Sequence, residues 1–243
     1  MQCYTARPQN SRIENGNLVI QALQERYTGS RDGCTMNQGC TDTKDYTSAR
    51  LRTINDPSGS WKYGRWEVRA ILPNGKHLWP ALWMLPTDYS YGLWAASGEM
   101  DIMEYRGQET NKVSSAMHYG GVYPRNTYVT TGPLTFTTDF SADYHLFAFE
   151  WEENEMRYYV DNTLTWKVDL NKRWCSGSAS DCPYTANKQP WDKRFHFLIN
   201  LAIGGAFFNG YGSLSAAEAR QWRNAKFVID YIRAYKKVEI PSK

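Results

Sequence analysis

The chain reads as an all-β protein, a sandwich or barrel of short strands. Three observations carry that reading. Apolar and polar residues alternate in many short segments, the period of a half-buried strand. Turn residues separate these segments at the spacing of sandwiches and barrels. One stretch alone, Ser215 to Trp222, carries a helix signature, a capping box formed by Ser215 and Glu218. The 243 residues show no composition shift, repeat, heptad or low-complexity tract, so one domain over 1–243 is expected.

The elements follow in order. Asn15-Gly16 is a strong hairpin signal, and Leu18 to Leu23 is the strand that leaves it. From Ser48 to Ile54, Ala49, Leu51 and Thr53 alternate with Arg50 and Arg52. In the stretch from Trp61 to Leu72, Trp66, Val68, Ala70 and Leu72 take one face and Arg65, Glu67 and Arg69 the other. Pro73-Asn74-Gly75 ends it. Leu78 to Leu85, Gly98 to Arg106, Val113 to Tyr119 and Tyr144 to Trp151 are further strands. Met156 to Val160 and Leu164 to Val168 flank an Asp161-Asn162 turn. Phe195 to Ile203 and Phe227 to Tyr235 close the series. Thr28 to Tyr46 and Asn171 to Gln189 read as irregular loops.

A net charge of +3 is small for this length and implies neither a nucleic-acid nor a membrane partner. No apolar run approaches the ~20 residues of a spanning helix, and Met1 is followed by polar residues rather than a signal peptide. Aromatic residues make up 15%, with 10 Trp and 17 Tyr, an excess much of which is expected as core and strand material. Such an excess suits sugar binding, because pyranose rings stack on aromatic planes. Of five cysteines, Cys34/Cys40 and Cys175/Cys182 lie close together in the two irregular loops, the pattern of two short disulfides and an oxidising compartment. No His accompanies either pair at ligand spacing, so zinc is not expected. Cys3 is left over.

The densest chemistry is Gly98-Glu99-Met100-Asp101-Ile102-Met103-Glu104-Tyr105. Glu99 and Asp101 share one face of a strand, and Glu104 would face away. One extra residue, a β-bulge near Met103, returns Glu104 to the face of the other two and turns Met100, Ile102 and Tyr105 to the core. The Cα atoms of Glu99 and Glu104 then lie roughly 13 Å apart, about four steps of ~3.3 Å. Long side chains leaning together over a curved sheet can close this to the ~5–5.5 Å of a retaining glycosidase, in which one carboxylate attacks the anomeric carbon and the other protonates the leaving oxygen. Asp101 between them would orient the nucleophile and influence which group holds the proton. Three acids on one face repel each other, which a fold tolerates mainly where chemistry uses them.

The segment from Gly98 to Gly107 resembles the active-site signature of glycoside hydrolase family 16, in its laminarinase (endo-β-1,3-glucanase) branch. Tyr63 to Pro73, Leu78 to Pro86, Met117 to Gly121, Asn200 to Gly205 and Val228 to Tyr235 are similar to further family segments in the same order, so the likeness runs from about Asn15 to Tyr235. The resemblance implies a jelly-roll β-sandwich of two curved antiparallel sheets with a concave substrate groove. It implies Glu99 as nucleophile, Glu104 as acid/base and Asp101 as helper. The bulged spacing is that of laminarinases and some galactan-cleaving relatives, whereas lichenases typically lack the extra residue. Relatives that only recognise β-glucan lose one or both glutamates; this chain keeps both. One departure is at the start. The family's usual first strand, with a Trp and an Asp-Glu-Phe-Asp-like segment, has no counterpart before Met1-Gln2-Cys3-Tyr4.

Trp79 and Trp83, four apart on one strand face, and Trp94 in a Tyr/Gly loop are expected to stack on sugar; Trp94 matches a groove Trp of the family. His118 matches a family position near the acids. His145 reads as structural. Arg69, opposite Trp66 and Val68, is a candidate for the groove, where a guanidinium fork suits sugar hydroxyls. Many family members hold a structural calcium on the convex side, which would use Asp230 and backbone oxygens near Gly16. The expectation is a secreted, monomeric, retaining endo-β-1,3-glucanase acting on laminarin-like polysaccharide, with no cofactor for catalysis. A non-hydrolytic β-glucan receptor and a hydrolase of agar or carrageenan are the alternatives.

Overall fold

The computed structural model describes residues 1–29, 43–56, 58–175 and 182–238. Along the chain the first strands are β1 (Cys3–Tyr4), β2 (Ser11–Glu14), β3 (Asn17–Gln21), β4 (Leu23–Thr28), β5 (Thr43–Ser48) and β6 (Arg50–Arg52). Next come β7 (Ser60–Trp61), β8 (Gly64–Ile71), β9 (Leu78–Pro86), β10 (Glu99–Tyr105), β11 (Lys112–Tyr119), β12 (Thr127–Thr130) and β13 (Leu134–Thr135). The last are β14 (His145–Trp151), β15 (Glu155–Val160), β16 (Thr163–Asp169), β17 (Phe195–Ile203) and β18 (Lys226–Tyr235).

Two large sheets form the sandwich. One has eight strands in the order β12-β11-β10-β9-β17-β6, with β13 added to β11 and β7 to β17. The other has seven, in the order β16-β15-β14-β8-β18-β3-β2. All pairings within these two sheets are antiparallel. The sheets bury one shared core. From the seven-stranded sheet come Trp66, Val68, Ala70, Phe147, Phe149 and Trp151. From the other come Leu82, Met84, Met100, Met117, Phe197 and Leu201. Full burial of each large side chain is worth roughly 1.5–3 kcal/mol, so the aromatic excess is partly core material. Trp66, Trp151, Trp174 and Trp191 are fully buried.

The turns follow their sequence. Asn15 and Gly16 both have positive φ, 52° and 81°, which makes the two-residue hairpin loop that joins β2 to β3 with Glu14 opposite Asn17. Asp161 and Asn162 also take positive φ between β15 and β16.

The structure departs from the sequence reading in several places. The helix is one turn, Ala216–Ala219 (α1), although its Ser215/Glu218 capping box is complete. Trp222, expected as its last residue, instead donates its indole N–H to the Lys76 carbonyl at 2.9 Å; tertiary contact outweighs propensity in so short a helix. The loop expected from Thr28 to Tyr46 gives way to β5 at Thr43, and a three-stranded sheet β1-β5-β4, with β1 parallel to β5, was not foreseen. Cys175 and Cys182 are joined as a disulfide, and Cys3 is buried. Cys34 and Cys40 lie outside the described residues.

Candidate active site

The bulge is where the acids need it. On β11, Asp101 faces Ala116 while Glu104 faces Ser114; on β9, Asp101 faces Trp83 and Glu104 faces Ala81. Three residues of β10 thus span two of each neighbour, and the slip lies between Asp101 and Met103 on the β9 side. Ile102 and Met103 are both buried. Glu99, Asp101 and Glu104 together line one cavity of about 310 Å³ on the outer face of the eight-stranded sheet. It continues past Glu99 into a second cavity of about 670 Å³ bounded by Arg52, Tyr89, Trp94 and His196. Gly98 sets the entry to β10. Its φ is +89°, and a Cβ there would come within 2.8 Å of Trp191 and 3.1 Å of Phe195.

Glu99 and Glu104 each have an indole donor. The Trp94 indole N–H donates to Glu99 Oε2. The loop that carries Trp94 is tied down where Ser97 Oγ donates to the Gly92 carbonyl at 2.6 Å and Tyr184 Oη to the Ala96 carbonyl at 2.8 Å. Trp79 Nε1 donates to Glu104 Oε1 at 3.1 Å. His118, directly across from Glu99, brings Nε2 to 3.3 Å from Asp101 Oδ2. Its ring stacks on Tyr128 and lies 5.7 Å from Trp94. Glu99, Asp101 and His118 offer atoms that all lie within 4.8 Å of one another.

The electrostatics favour shared protons. Burial, and then the charge of Asp101, push the Glu99 carboxyl well above its ordinary range, against the pull of His118 and the Trp94 N–H. Burial and Glu104 push Asp101 up in the same way. For Glu104, burial and Glu99 outweigh His118, Trp79 and Arg106, and the carboxyl is pushed up to about 7. The trio therefore keeps at least one proton near neutrality. The hydrogen bond between Glu99 and Asp101 shares one proton within that pair, itself raising Glu99 and lowering Asp101.

Trp79 and Trp83 share the groove face of β9, as their spacing predicts. Trp79 has one face covered by Phe207, with ring centroids 4.6 Å apart at 18°. Trp83 Nε1 donates to Asn200 Oδ1 at 2.7 Å, and Asn200 Nδ2 donates to Tyr4 Oη at 3.1 Å. Arg50 lies over both the Tyr4 and Trp83 rings. Sequence reasoning passed over Tyr4, Arg50 and Asn200 as site residues. The available signal was Asn200, a polar residue inside the apolar run of β17.

Arg69 does not reach the groove. It belongs to β8 in the other sheet, where it lies over Tyr144 and bonds Asp230 Oδ2 at 2.6 Å. Alternation placed it on the outer side of its strand but could not say which sheet that strand joins. The same bond bears on calcium. The Asp230 carboxylate accepts from Arg69, and Gly16 forms the tip of the β2–β3 turn. A calcium held here would take six to eight oxygens, with Asp230 released from Arg69 to supply one of them. His145 bonds Asp161 Oδ2 at 2.7 Å, a structural role. A separate cleft of about 580 Å³ lies beside Tyr63, Glu150 and Tyr235, away from the acids, and its charged groups largely pair with one another.

Two glutamates facing one sugar-sized groove, one of them poised to keep its proton at neutral pH, define a glycoside hydrolase on a β-sandwich. The model of the family described as glycosyl hydrolases family 16 matches residues 4–190. The chain belongs to that family. It is 37% identical over 236 residues to a glucan endo-1,3-beta-glucosidase of Cryptopygus antarcticus, covering 97% of this chain and 80% of the relative. A glucan endo-1,3-beta-glucosidase A1 of Niallia circulans is also 37% identical over 97% of this chain, which spans 32% of that longer protein. The laminarinase structure from Rhodothermus marinus superposes with a TM-score of 0.75 at 32% identity, covering 98% of this chain and 85% of its own. Among the described residues no helix is long and apolar enough to cross a membrane.

Proposed function

We propose that this chain is a retaining endo-β-1,3-glucanase that cleaves laminarin-like β-glucans by double displacement. The observation that carries the proposal is the β10 bulge, which gathers Glu99, Asp101 and Glu104 into one cavity. In the first step a Glu99 oxygen bonds to the anomeric carbon as the glycosidic C–O bond breaks, and Glu104 gives its proton to the departing oxygen. In the second, Glu104 takes a proton from water, the water oxygen bonds to the anomeric carbon, and the bond to Glu99 breaks. Asp101 shares a proton with Glu99 and keeps it oriented. Trp94 and Trp83 supply indole surface along the groove, His118 and Asn200 polar edges.

The chemistry needs no metal, and every group named comes from one chain, so a monomer suffices. The Cys175–Cys182 disulfide supports secretion. The test is a product profile across laminarin, lichenan, agarose and carrageenan, with the first-formed anomer read by NMR. Laminarin should be cleaved fastest, giving the β-anomer first. Laminarin binding without new reducing ends, or preferential cleavage of a galactan, overturns the proposal.

A further inference from the structure

We infer that Arg106 is a positioning residue for the acid/base step: it clamps Phe207 onto Trp79 and so fixes the indole that donates to Glu104. The inference rests on the glucanase reading above and adds to it a part that the acid motif does not contain.

The clamp is continuous. Arg106 follows the last residue of β10, two positions after Glu104, so it emerges on the same side of the strand. Its guanidinium forks onto the Phe207 carbonyl, with Nε at 3.0 Å and Nη2 at 2.9 Å. The same guanidinium lies over the Phe207 ring, 3.8 Å from its centroid, and 5.0 Å from that of Tyr211. The Phe207 ring in turn stacks on Trp79. Cation, phenyl and indole thus form three layers, and the indole ends on Glu104. Glu109 backs the assembly: it lies 3.6 Å from Arg106 Nη1, accepts from Tyr211 Oη at 2.9 Å and from Lys112 Nζ at 2.7 Å.

The segment that bears Phe207 is anchored on its other side by Phe208, which is buried and stacks on His77 with ring centroids 4.5 Å apart, so the Phe207 ring depends on Arg106. It is a three-residue 3-10 turn, Ala206–Phe208, that follows Gly204 and Gly205, both at positive φ. A planar guanidinium that bonds the carbonyl and covers the ring of one residue fixes both its backbone and its side chain, which lysine cannot do. A pocket of about 10 Å³, the size of one water, separates Glu104 from Arg106, Glu109, Lys112 and Ser114. The charged or titratable groups facing Glu104 are therefore Glu99 and Asp101 on its own strand, His118 on β11, Arg106, across the larger cavity Met1, Tyr4 and Arg50, and across the small pocket Glu109 and Lys112.

The test compares Arg106→Met and Arg106→Lys with wild type on laminarin and on a dinitrophenyl β-laminaribioside, whose leaving group needs no proton. Arg106→Met should lower kcat on laminarin about 10- to 100-fold with little change in KM. It should spare kcat/KM on the aryl substrate, which reports only the step that needs no proton, and move the alkaline limb of kcat/KM on laminarin upward by roughly half a pH unit or more, because a cation near Glu104 is lost. Arg106→Lys should lower kcat while holding that limb near wild type. If Arg106→Met does not fold, Phe207→Leu, which removes the middle layer, should reproduce the kcat loss on laminarin alone. An active wild type whose variants change only KM or melting temperature, with an unshifted limb and equal losses of kcat/KM on both substrates, overturns this inference alone. A wild type that releases no sugar from laminarin overturns the glucanase reading and this inference with it.

Discussion

On the outer face of the seven-stranded sheet, Glu150 sits between Arg65 and Arg157, each 2.7 Å away, and Arg157 reaches on to Glu152 and Glu155. On the outer face of the eight-stranded sheet, Glu99, Asp101 and Glu104 share one floor, and among the described residues no lysine or arginine forms an ion pair with them. Burial works to raise Glu150, but the bonds from Arg157, Tyr159 and Arg65 outweigh it and leave its carboxyl below the ordinary range. In the groove, burial and mutual repulsion win. Acids matched by cations hold a sheet together; acids crowded without them store a proton for chemistry.

The sharpest way to break the contrast is Glu99→Ser. If the groove acids do chemistry, turnover on laminarin should fall by more than about 10⁴-fold, with the circular dichroism spectrum and laminarin binding retained. Substantial residual turnover would move Glu99 to the structural side of the comparison.

Stability against pH separates the two faces next. Glu104 is raised in the folded state, so its contribution is fully present below about pH 4.5 and is lost as pH climbs through about 7. Glu150 is lowered, so its contribution is present above the ordinary glutamate range and is lost as pH falls through its depressed value. Glu104→Gln should therefore stabilise the protein at pH 8 by up to about 3 kcal/mol and by little at pH 4, read from denaturant midpoints. Its activity on laminarin should drop about 10²–10⁴-fold. A variant no more stable than wild type at pH 8 would mean that the groove does not strain its acid.

Arg69→Ala is the smallest step. Its pair with Asp230 is about 40% exposed on both sides, so the cost should be about 0.2–1 kcal/mol and should shrink in high salt. Its kcat/KM should stay within about twofold of wild type. A larger loss would return Arg69 to the groove.

The same comparison shows what the sequence exposes. Period-two patterning marks which residues of a strand face the core, so Trp66, Val68 and Ala70 were legible, as were Trp79 and Trp83 on the opposite side of β9. The acids at Glu99, Asp101 and Glu104 were legible too, because one bulge satisfied their spacing and the apolar pattern together. Patterning does not record which of two sheets a strand joins, and Arg69 was misplaced for that reason. Contacts across long separations were silent as well. Phe207 lies 101 positions from Arg106, and neither residue carries a local sign of the other. The short β1, β12 and β13 are made by pairing partners rather than by propensity.

The irregularity in β10 has a further consequence. The reach between the two glutamates is set by main-chain register, not by side-chain choice, so cutting and gripping are controlled by different parts of one surface. Excising a single residue there would leave the three acids at alternate positions of a regular strand, still on one face but with the two glutamates drawn closer together. The extra residue and the slip in pairing are therefore matched, and neither serves without the other.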